Sequence, residues 1–262
     1  MTVLKQDTNL DDIRREIDAI DDAILYLLIR RFAATAKVRA TKSTDGTLAT
    51  SPLRPAREAT MLRRLMDKGG NQLPPQLLVR LWRVILSAST QSQAPITVHV
   101  PRAVAETIDL RLGIAEHFNG MRVEPHDSIE AAFRALAENR GDLAVVATDT
   151  RWADVFAASA DEGLRLVSCL PAAGNTTVPE LLVFGHAEPQ PSGDDETIFL
   201  TRSPVDLAGT GRPIWQVHSG GWWVTSRPGF LTADRPSADA ASRPDPDIRV
   251  AGRYPRPIEV LS

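Results

Sequence analysis

Apolar residues recur at intervals of four and three over the first part of the chain. The series runs through Ile13, Ile17, Ile20, Ile24 and Leu27, at spacings of 4, 3, 4 and 3. This heptad spacing predicts one long helix over residues 10–43 with a continuous apolar face. A helix of that length spans about 50 Å, which is too long for a compact three-helix monomer, so a dimer is expected.

Charged residues interrupt this apolar face. Arg31 occupies the next position of the series, and Lys42 lies 11 residues further on, which returns to almost the same face of a helix. Burial removes the hydration of a guanidinium, at a cost of several kcal/mol that a partner must compensate. The pattern indicates either an anionic ligand inside a helical bundle or an internal salt bridge to a nearby residue such as Asp18 or Asp21.

Two further helices are expected before residue 94. Pro55 suits the first turn of one helix, and Arg57 and Glu58 fall in that turn. The other helix begins near Pro75 and carries polar side chains at positions 89 and 93, which share one face.

The pattern changes near residue 95 to short apolar strands that alternate with helices. Strands are expected at 96–100, 122–124, 142–147, 164–170 and 180–185, and helices at 102–117 and 128–139. Three more strands are expected at 196–202, 213–217 and 222–225. We therefore expect a multi-domain chain, with an all-α domain at 1–94 and an α/β domain at 95–262 whose last part, 188–262, is rich in strands and loops.

The polar residues of the first three helices resemble those of the all-helical class of chorismate mutases. The resemblance covers about residues 8–93 and rests on an arginine before an I-D-x-I-D run, an arginine followed after eleven residues by a lysine, an R-E pair, and S-x-x-x-Q. These positions are Arg14, Arg31, Lys42, Arg57, Glu58, Ser89 and Gln93. The resemblance implies a three-helix fold in an intertwined dimer, with chorismate as substrate and prephenate as product.

The resemblance also implies a role for each of these residues. Lys42 and Gln93 would contact the ether oxygen of chorismate, and Glu58 would accept a hydrogen bond from its ring hydroxyl. The catalytic set is then Lys42, Gln93, Glu58 and Arg31, and the full substrate-binding set adds Arg14, Arg57 and Ser89. Arg14 is about 25 Å along the helix from Arg31, and the resemblance implies that it enters the site of the partner subunit of a homodimer.

In the segment SIEAAFRALAENRGDLAVVATDT, a helix that ends in glycine precedes an apolar strand. This segment resembles part of a prephenate dehydratase domain over about residues 96–186, which implies a dehydratase-like or periplasmic-binding-like fold. The Thr-Arg-Phe motif of that family is absent from this sequence. A degenerate domain that supports the dimer, or binds phenylalanine or tyrosine as an effector, is the favoured interpretation.

Composition narrows the remaining function classes. Residues 1–95 carry a net charge of +5 and the remainder −8, which favours an anionic small-molecule substrate for the first part. The basic residues are not interleaved with aromatic ones, so no nucleic acid is expected, and no apolar run is long enough to predict a membrane partner. The N-terminus lacks the apolar region of a signal peptide, which predicts a cytoplasmic protein.

Cofactor chemistry is not expected. The single cysteine, Cys169, excludes disulfides and cysteine-based metal sites within the chain, and the five histidines show no metal-ligand spacing. A Claisen rearrangement needs no metal or cofactor.

Four functions agree with these residues. The first is a chorismate mutase of phenylalanine and tyrosine biosynthesis, an isomerase. The others are a bifunctional mutase–dehydratase, an isochorismate-pyruvate lyase, and a non-catalytic helical dimer that senses a metabolite. Lysine, glutamate and glutamine at positions 42, 58 and 93 favour catalysis, because carboxylate binding alone would need only arginines.

Overall fold

The computed structural model describes residues 9–44, 52–70, 72–203, 212–232 and 248–260. Of residues 38–44 it describes only the main chain. The chain divides into two compact units. Met1–Thr47 contains the helix α1 (Leu10–Thr44), and Leu48–Ser262 contains the other described helices and strands.

The helix α1 begins with acidic residues. It is 35 residues long, as the apolar spacing predicts, and Asp11 and Asp12 lie in its first turn. Negative charge is favoured there by the helix dipole. Arg14 and Arg15 form exposed ion pairs with these two aspartates, at 3.2 and 2.5 Å.

The apolar face of α1 is exposed to solvent. Ile17, Ile20 and Ile24 are 52%, 51% and 50% exposed, and Ile13 and Leu27 on the same face are also exposed. A row of large exposed apolar side chains of this kind is typical of an interaction surface.

The helices α2 (Pro55–Gly69) and α3 (Pro75–Gln93) begin where the sequence predicts. Each has a proline in its first turn, where the missing N–H leaves no hydrogen bond unmade. Gly70, with a φ of 48°, follows α2 and allows the sharp reversal into α3. Leu62 of α2 and Leu78 of α3 pack together with Ile258 from the end of the chain.

The remaining elements form one sheet with helices around it. The helices are α4 (Arg102–Glu106), α5 (Ile108–His117), α6 (Ile129–Glu138) and α7 (Trp152–Ala158). The strands are β1 (Thr97–Pro101), β2 (Arg122–His126), β3 (Leu143–Ala147), β4 (Arg165–Leu170), β5 (Leu181–Gly185), β6 (Asp195–Thr201), β7 (Gln216–Ser219), β8 (Trp222–Pro228) and β9 (Arg249–Pro255). The predicted order of three helices followed by an α/β domain is confirmed.

The sheet is mixed, with the strand order β2-β1-β3-β5-β4-β9-β6-β8-β7. β1 pairs in parallel with β2 and β3, whereas β5 is antiparallel to both of its neighbours. Alternate residues of β3 lie in two different apolar clusters, with Leu143 and Val145 in one and Ala144 and Val146 in the other. Both faces of this strand are therefore covered.

Three elements differ from the sequence-based expectation. The single helix expected at 102–117 is two helices, because Thr107 is extended and its hydroxyl donates to the Ala103 carbonyl at 2.8 Å. α7 and β9 were not predicted. β9 is an interior strand between β4 and β6, and Gly252 allows it to approach closely, since a Cβ there would collide with the Leu166 main chain.

α2 and α3 contact the sheet region directly. Arg63 of α2 donates to the main-chain carbonyls of Asp194 and Arg256, both at 3.0 Å. Ser87 of α3 donates from its hydroxyl to the His117 carbonyl at 3.1 Å. Residue 94 therefore marks a change of sequence pattern inside the larger compact unit, Leu48–Ser262. A domain boundary at this residue stays a prediction. The dehydratase-like interpretation of 96–186 also stays a prediction.

Candidate functional site

Three of the predicted site residues lie on α1. Arg14 is exposed and its guanidinium bonds to Asp11 in the preceding turn. Arg31 is half-buried, and its carbonyl accepts the Thr35 hydroxyl at 3.1 Å. Lys42 lies within the last turn of the helix, and its side chain falls outside the described residues. The helix therefore carries the three cations in the predicted order and on the predicted element.

Glu58 is fixed by an ion pair that the sequence did not predict. Arg83 of α3 donates from Nη1 to Glu58 Oε2 at 2.8 Å, and the two side chains are 11% and 12% exposed. Glu58 lies in the first turn of α2, where the helix dipole also favours a carboxylate. Arg57, one residue earlier and about 100° around the helix, is exposed.

Ser89 and Gln93 lie one turn apart on α3, as predicted. The buried Ser89 hydroxyl donates to the Ile85 carbonyl at 2.7 Å, and the half-buried Gln93 amide donates to the Ser89 carbonyl at 3.2 Å. Both donors satisfy carbonyls of their own helix. A ligand that recruits either donor replaces a local hydrogen bond of this kind.

The structure thus brings together part of the predicted set. Within Leu48–Ser262, Ser89 and Gln93 share one helix face, and Glu58 is linked to the same helix through Arg83. The three cations of α1 belong to the other compact unit.

A small cavity lies beside the Glu58–Arg83 pair. Its walls include Glu58, Arg83, His117, Cys169 and Arg256, so α2, α3, α5 and the sheet all contribute. Burial, and secondarily the nearby Arg83 charge, hold the pKa of His117 well below its usual range. Burial raises the pKa of the Cys169 thiol, which keeps the thiol protonated and unreactive.

Arg83 is the residue that sequence reasoning missed. It lies between apolar residues in the segment LLVRLWRVIL, and a buried arginine in such a run needs an acidic partner. That signal is the same one that identified Arg31. The Nε atom of Arg83 is buried without a hydrogen-bond partner among the described residues, so the pair with Glu58 is its main compensation.

The described chain thus begins with three helices that carry carboxylate, amide and cationic side chains, and an α/β sheet follows them. Residues 13–94 match the family model of chorismate mutase type II. This part of the chain is therefore a chorismate mutase type II domain, as its sequence resemblance predicted. No curated protein and no solved structure matches the chain significantly.

The family assignment supports a chorismate mutase activity. A domain of this family implies an isomerase that acts on chorismate in aromatic amino acid biosynthesis. In the part of the chain that the structure describes, no helix is both long and apolar enough to span a bilayer.

Proposed function

We propose that this protein is a chorismate mutase that converts chorismate to prephenate by a Claisen rearrangement within one molecule. The bond between the ether oxygen and the ring breaks while a carbon–carbon bond forms between the enolpyruvyl group and the ring. Atoms and charge balance without a proton donor, nucleophile or cofactor. The enzyme must hold the flexible enolpyruvyl arm over the ring and stabilise the negative charge that grows on the ether oxygen.

The proposal rests mainly on Lys42, Glu58 and Gln93. These three side chains, which are not arginines, occupy positions of the family segment at which the resemblance implies a catalytic role. Lys42 and Gln93 donate hydrogen bonds to the ether oxygen, and Glu58 accepts one from the ring hydroxyl. Arg14, Arg31 and Arg57 bind the two carboxylates, for which a planar guanidinium is well suited. Ser89 assists one carboxylate after its hydroxyl leaves the Ile85 carbonyl.

The Glu58–Arg83 pair supports the role of Glu58. Arg83 holds one carboxylate oxygen at 2.8 Å and thereby fixes where the carboxylate lies before substrate arrives. A preorganised acceptor loses little conformational entropy when it meets the ring hydroxyl. Arg83 is a positioning residue in this account, because it acts through Glu58.

The active form is a homodimer in which Arg14 acts in the partner's site. The exposed apolar face of α1 supports an assembly of two long helices. Arg14 is about 25 Å along α1 from Arg31, which disfavours the same site within one chain. Its pairing partner Asp11 is exposed, so the guanidinium exchanges this contact at low cost, under about 1 kcal/mol.

Residues 95–262 form the second part of the proposed enzyme. They support α2 and α3, since the Arg63 and Ser87 contacts reach across the boundary at residue 94. Phenylalanine and tyrosine, as end products of the implied pathway, are the effectors to test on this part. A cytoplasmic location agrees with a biosynthetic role.

Product identification tests the proposal. Purified full-length protein is incubated separately with chorismate, isochorismate and prephenate, and each product is identified by chromatography and mass. Prephenate formed from chorismate supports the mutase. Faster release of pyruvate from isochorismate would replace it with a lyase, and phenylpyruvate formed from prephenate above the spontaneous rate would add a dehydratase activity. Binding of chorismate without turnover would identify a sensor.

A further inference from the structure

The first two strands of the sheet bring together three side chains that are far apart in the sequence. β1 and β2 are parallel, and their register places His99 opposite Glu124. His126 lies two residues beyond Glu124 and therefore projects from the same face of the sheet. One ligand atom from each of these three residues lies within 4.8 Å of the others.

The two histidines are already oriented towards each other. His99 Nδ1 and His126 Nε2 are 2.9 Å apart, and the other ring nitrogen of His99, Nε2, lies 3.3 Å from Asp142 Oδ2. In the tautomer protonated at Nε2, His99 donates to the Asp142 carboxylate and directs its Nδ1 lone pair at the cluster. A carboxylate behind a histidine is the usual arrangement around metal-binding imidazoles.

Asp142 is itself held in place. Its Oδ1 accepts the Thr97 main-chain N–H at 2.8 Å, and its Oδ2 accepts the Asn139 amide at 2.9 Å. Asp142 and His99 are both buried, at 4% and 6% exposed. The orientation of His99 is therefore built into the core of the sheet.

We propose that His99, Glu124 and His126 bind a divalent cation of the zinc class. Two imidazoles and one carboxylate are a donor set that suits zinc, and three protein ligands leave one position for water. Ligand nitrogens about 2.0–2.1 Å from a tetrahedral ion are roughly 3.3 Å apart. The 2.9 Å separation of the two histidine nitrogens is close to this value, so a small ring rotation admits the ion.

The site lies at an accessible edge of the sheet. β2 is the first strand in the sheet order, and the Glu124 side chain is 40% exposed. Arg122 forms an ion pair with Glu124 at 2.9 Å and competes with the cation for the carboxylate. Removal of the Arg122 charge should therefore strengthen binding.

This site is separate from the proposed mutase function. Its ligands lie within β1 and β2, whereas the residues proposed for the rearrangement lie on α1, α2 and α3. Failure of one proposal leaves the other unaffected, since metal binding is measured without substrate.

The test is equilibrium dialysis and calorimetry of the full-length protein with Zn²⁺, after treatment with a chelator and its removal. We expect one saturable Zn²⁺ per chain that excess Mg²⁺ does not displace, because Mg²⁺ prefers oxygen ligands. Glu124→Gln and His126→Ala should each weaken Zn²⁺ binding at least about 10–100-fold, and Asp142→Asn should weaken it to a similar degree through His99. Arg122→Ala should tighten it.

His218→Ala is the matched control, because His218 is an exposed histidine on a different strand. It should leave the affinity unchanged. Glu124 and His126 lie on the edge strand, so their variants should fold, which circular dichroism checks. The proposal is overturned by the lack of a saturable site in the wild type, or by folded Glu124→Gln and His126→Ala variants that bind Zn²⁺ like the wild type.

Discussion

Arg83 of α3 and Glu58 of α2 form an ion pair at 2.8 Å with both side chains almost entirely removed from water. The pair links α2 and α3, the two helices of the family segment that lie in the larger compact unit, Leu48–Ser262. Loss of one partner leaves a buried charge without compensation. The free-energy cost of that charge exceeds the net stabilisation that the intact pair provides.

Arg83→Met should therefore lower the free energy of unfolding by about 3–5 kcal/mol, measured by urea denaturation. Arg80→Met is the control on the same helix. Arg80 pairs with Glu116 at the same 2.8 Å, but these side chains are 71% and 57% exposed. Its loss should cost under about 1 kcal/mol. Equal effects of the two substitutions would show that the buried pair has no special role.

His117 should make the protein less stable in mild acid. Its pKa is held well below 6.5 in the folded state by burial and by Arg83. The unfolded chain therefore binds a proton more readily, so stability falls as the pH drops below about 6.5. His117→Gln should flatten this dependence, with a slope difference that approaches about 1.4 kcal/mol per pH unit.

Denaturant unfolding between pH 5 and 7.5, which brackets the ordinary histidine pKa of about 6.5, measures that slope. His218→Gln provides the comparison, because His218 is exposed. A His117→Gln slope identical to that of the wild type would remove His117 as a source of acid sensitivity.

Arg14 should act in trans. Arg14→Ala and Arg31→Ala proteins should each be nearly inactive, and mixing them with subunit exchange should restore part of the activity. Each mixed dimer would contain one site that lacks both arginines and one that has both. If exchange is confirmed by mass and no activity returns, the two arginines serve one site from the same chain.

Gln93 should determine how activity depends on pH. The amide donates to the ether oxygen at every pH, whereas a glutamate at this position donates only when protonated. Gln93→Glu should therefore lose activity at neutral pH and regain it as the pH falls towards about 5, near the ordinary carboxyl range. Rates of chorismate loss measured for both proteins over this range test the assignment, and a variant with the same activity at both ends of the range would contradict it.

The sequence predicted those parts of the molecule that local patterns determine. The apolar spacing predicted α1, and Pro55 and Pro75 predicted the starts of α2 and α3. The matching polar residues predicted the family for about residues 8–93, and the family comparison confirms it over residues 13–94.

Features that depend on distant pairing were not predictable in this way. Glu58 meets Arg83 because two helices pack in one register, and His99 meets Glu124 because β1 and β2 pair in parallel across 25 residues. β9 is an interior strand although no local signal specifies β4 and β6 as its neighbours. Histidine spacing along the chain therefore indicated no metal site, whereas the sheet register brings together the three residues that we propose as ligands.

Lys42 provides the most direct measurement of the central claim. Wild type, Lys42→Ala and Lys37→Ala are compared by kcat/KM for chorismate with a chelator present, which separates the mutase reaction from the proposed metal site. Lys37 is on the same helix, about 140° around its axis from Lys42. We predict that wild type converts chorismate to prephenate. Loss of the Lys42 ammonium should cost about 3–4 kcal/mol of transition-state stabilisation, roughly 10²–10³-fold, while Lys37→Ala stays within about threefold. A wild type without turnover, or a Lys42→Ala protein within about threefold of it, would contradict the account.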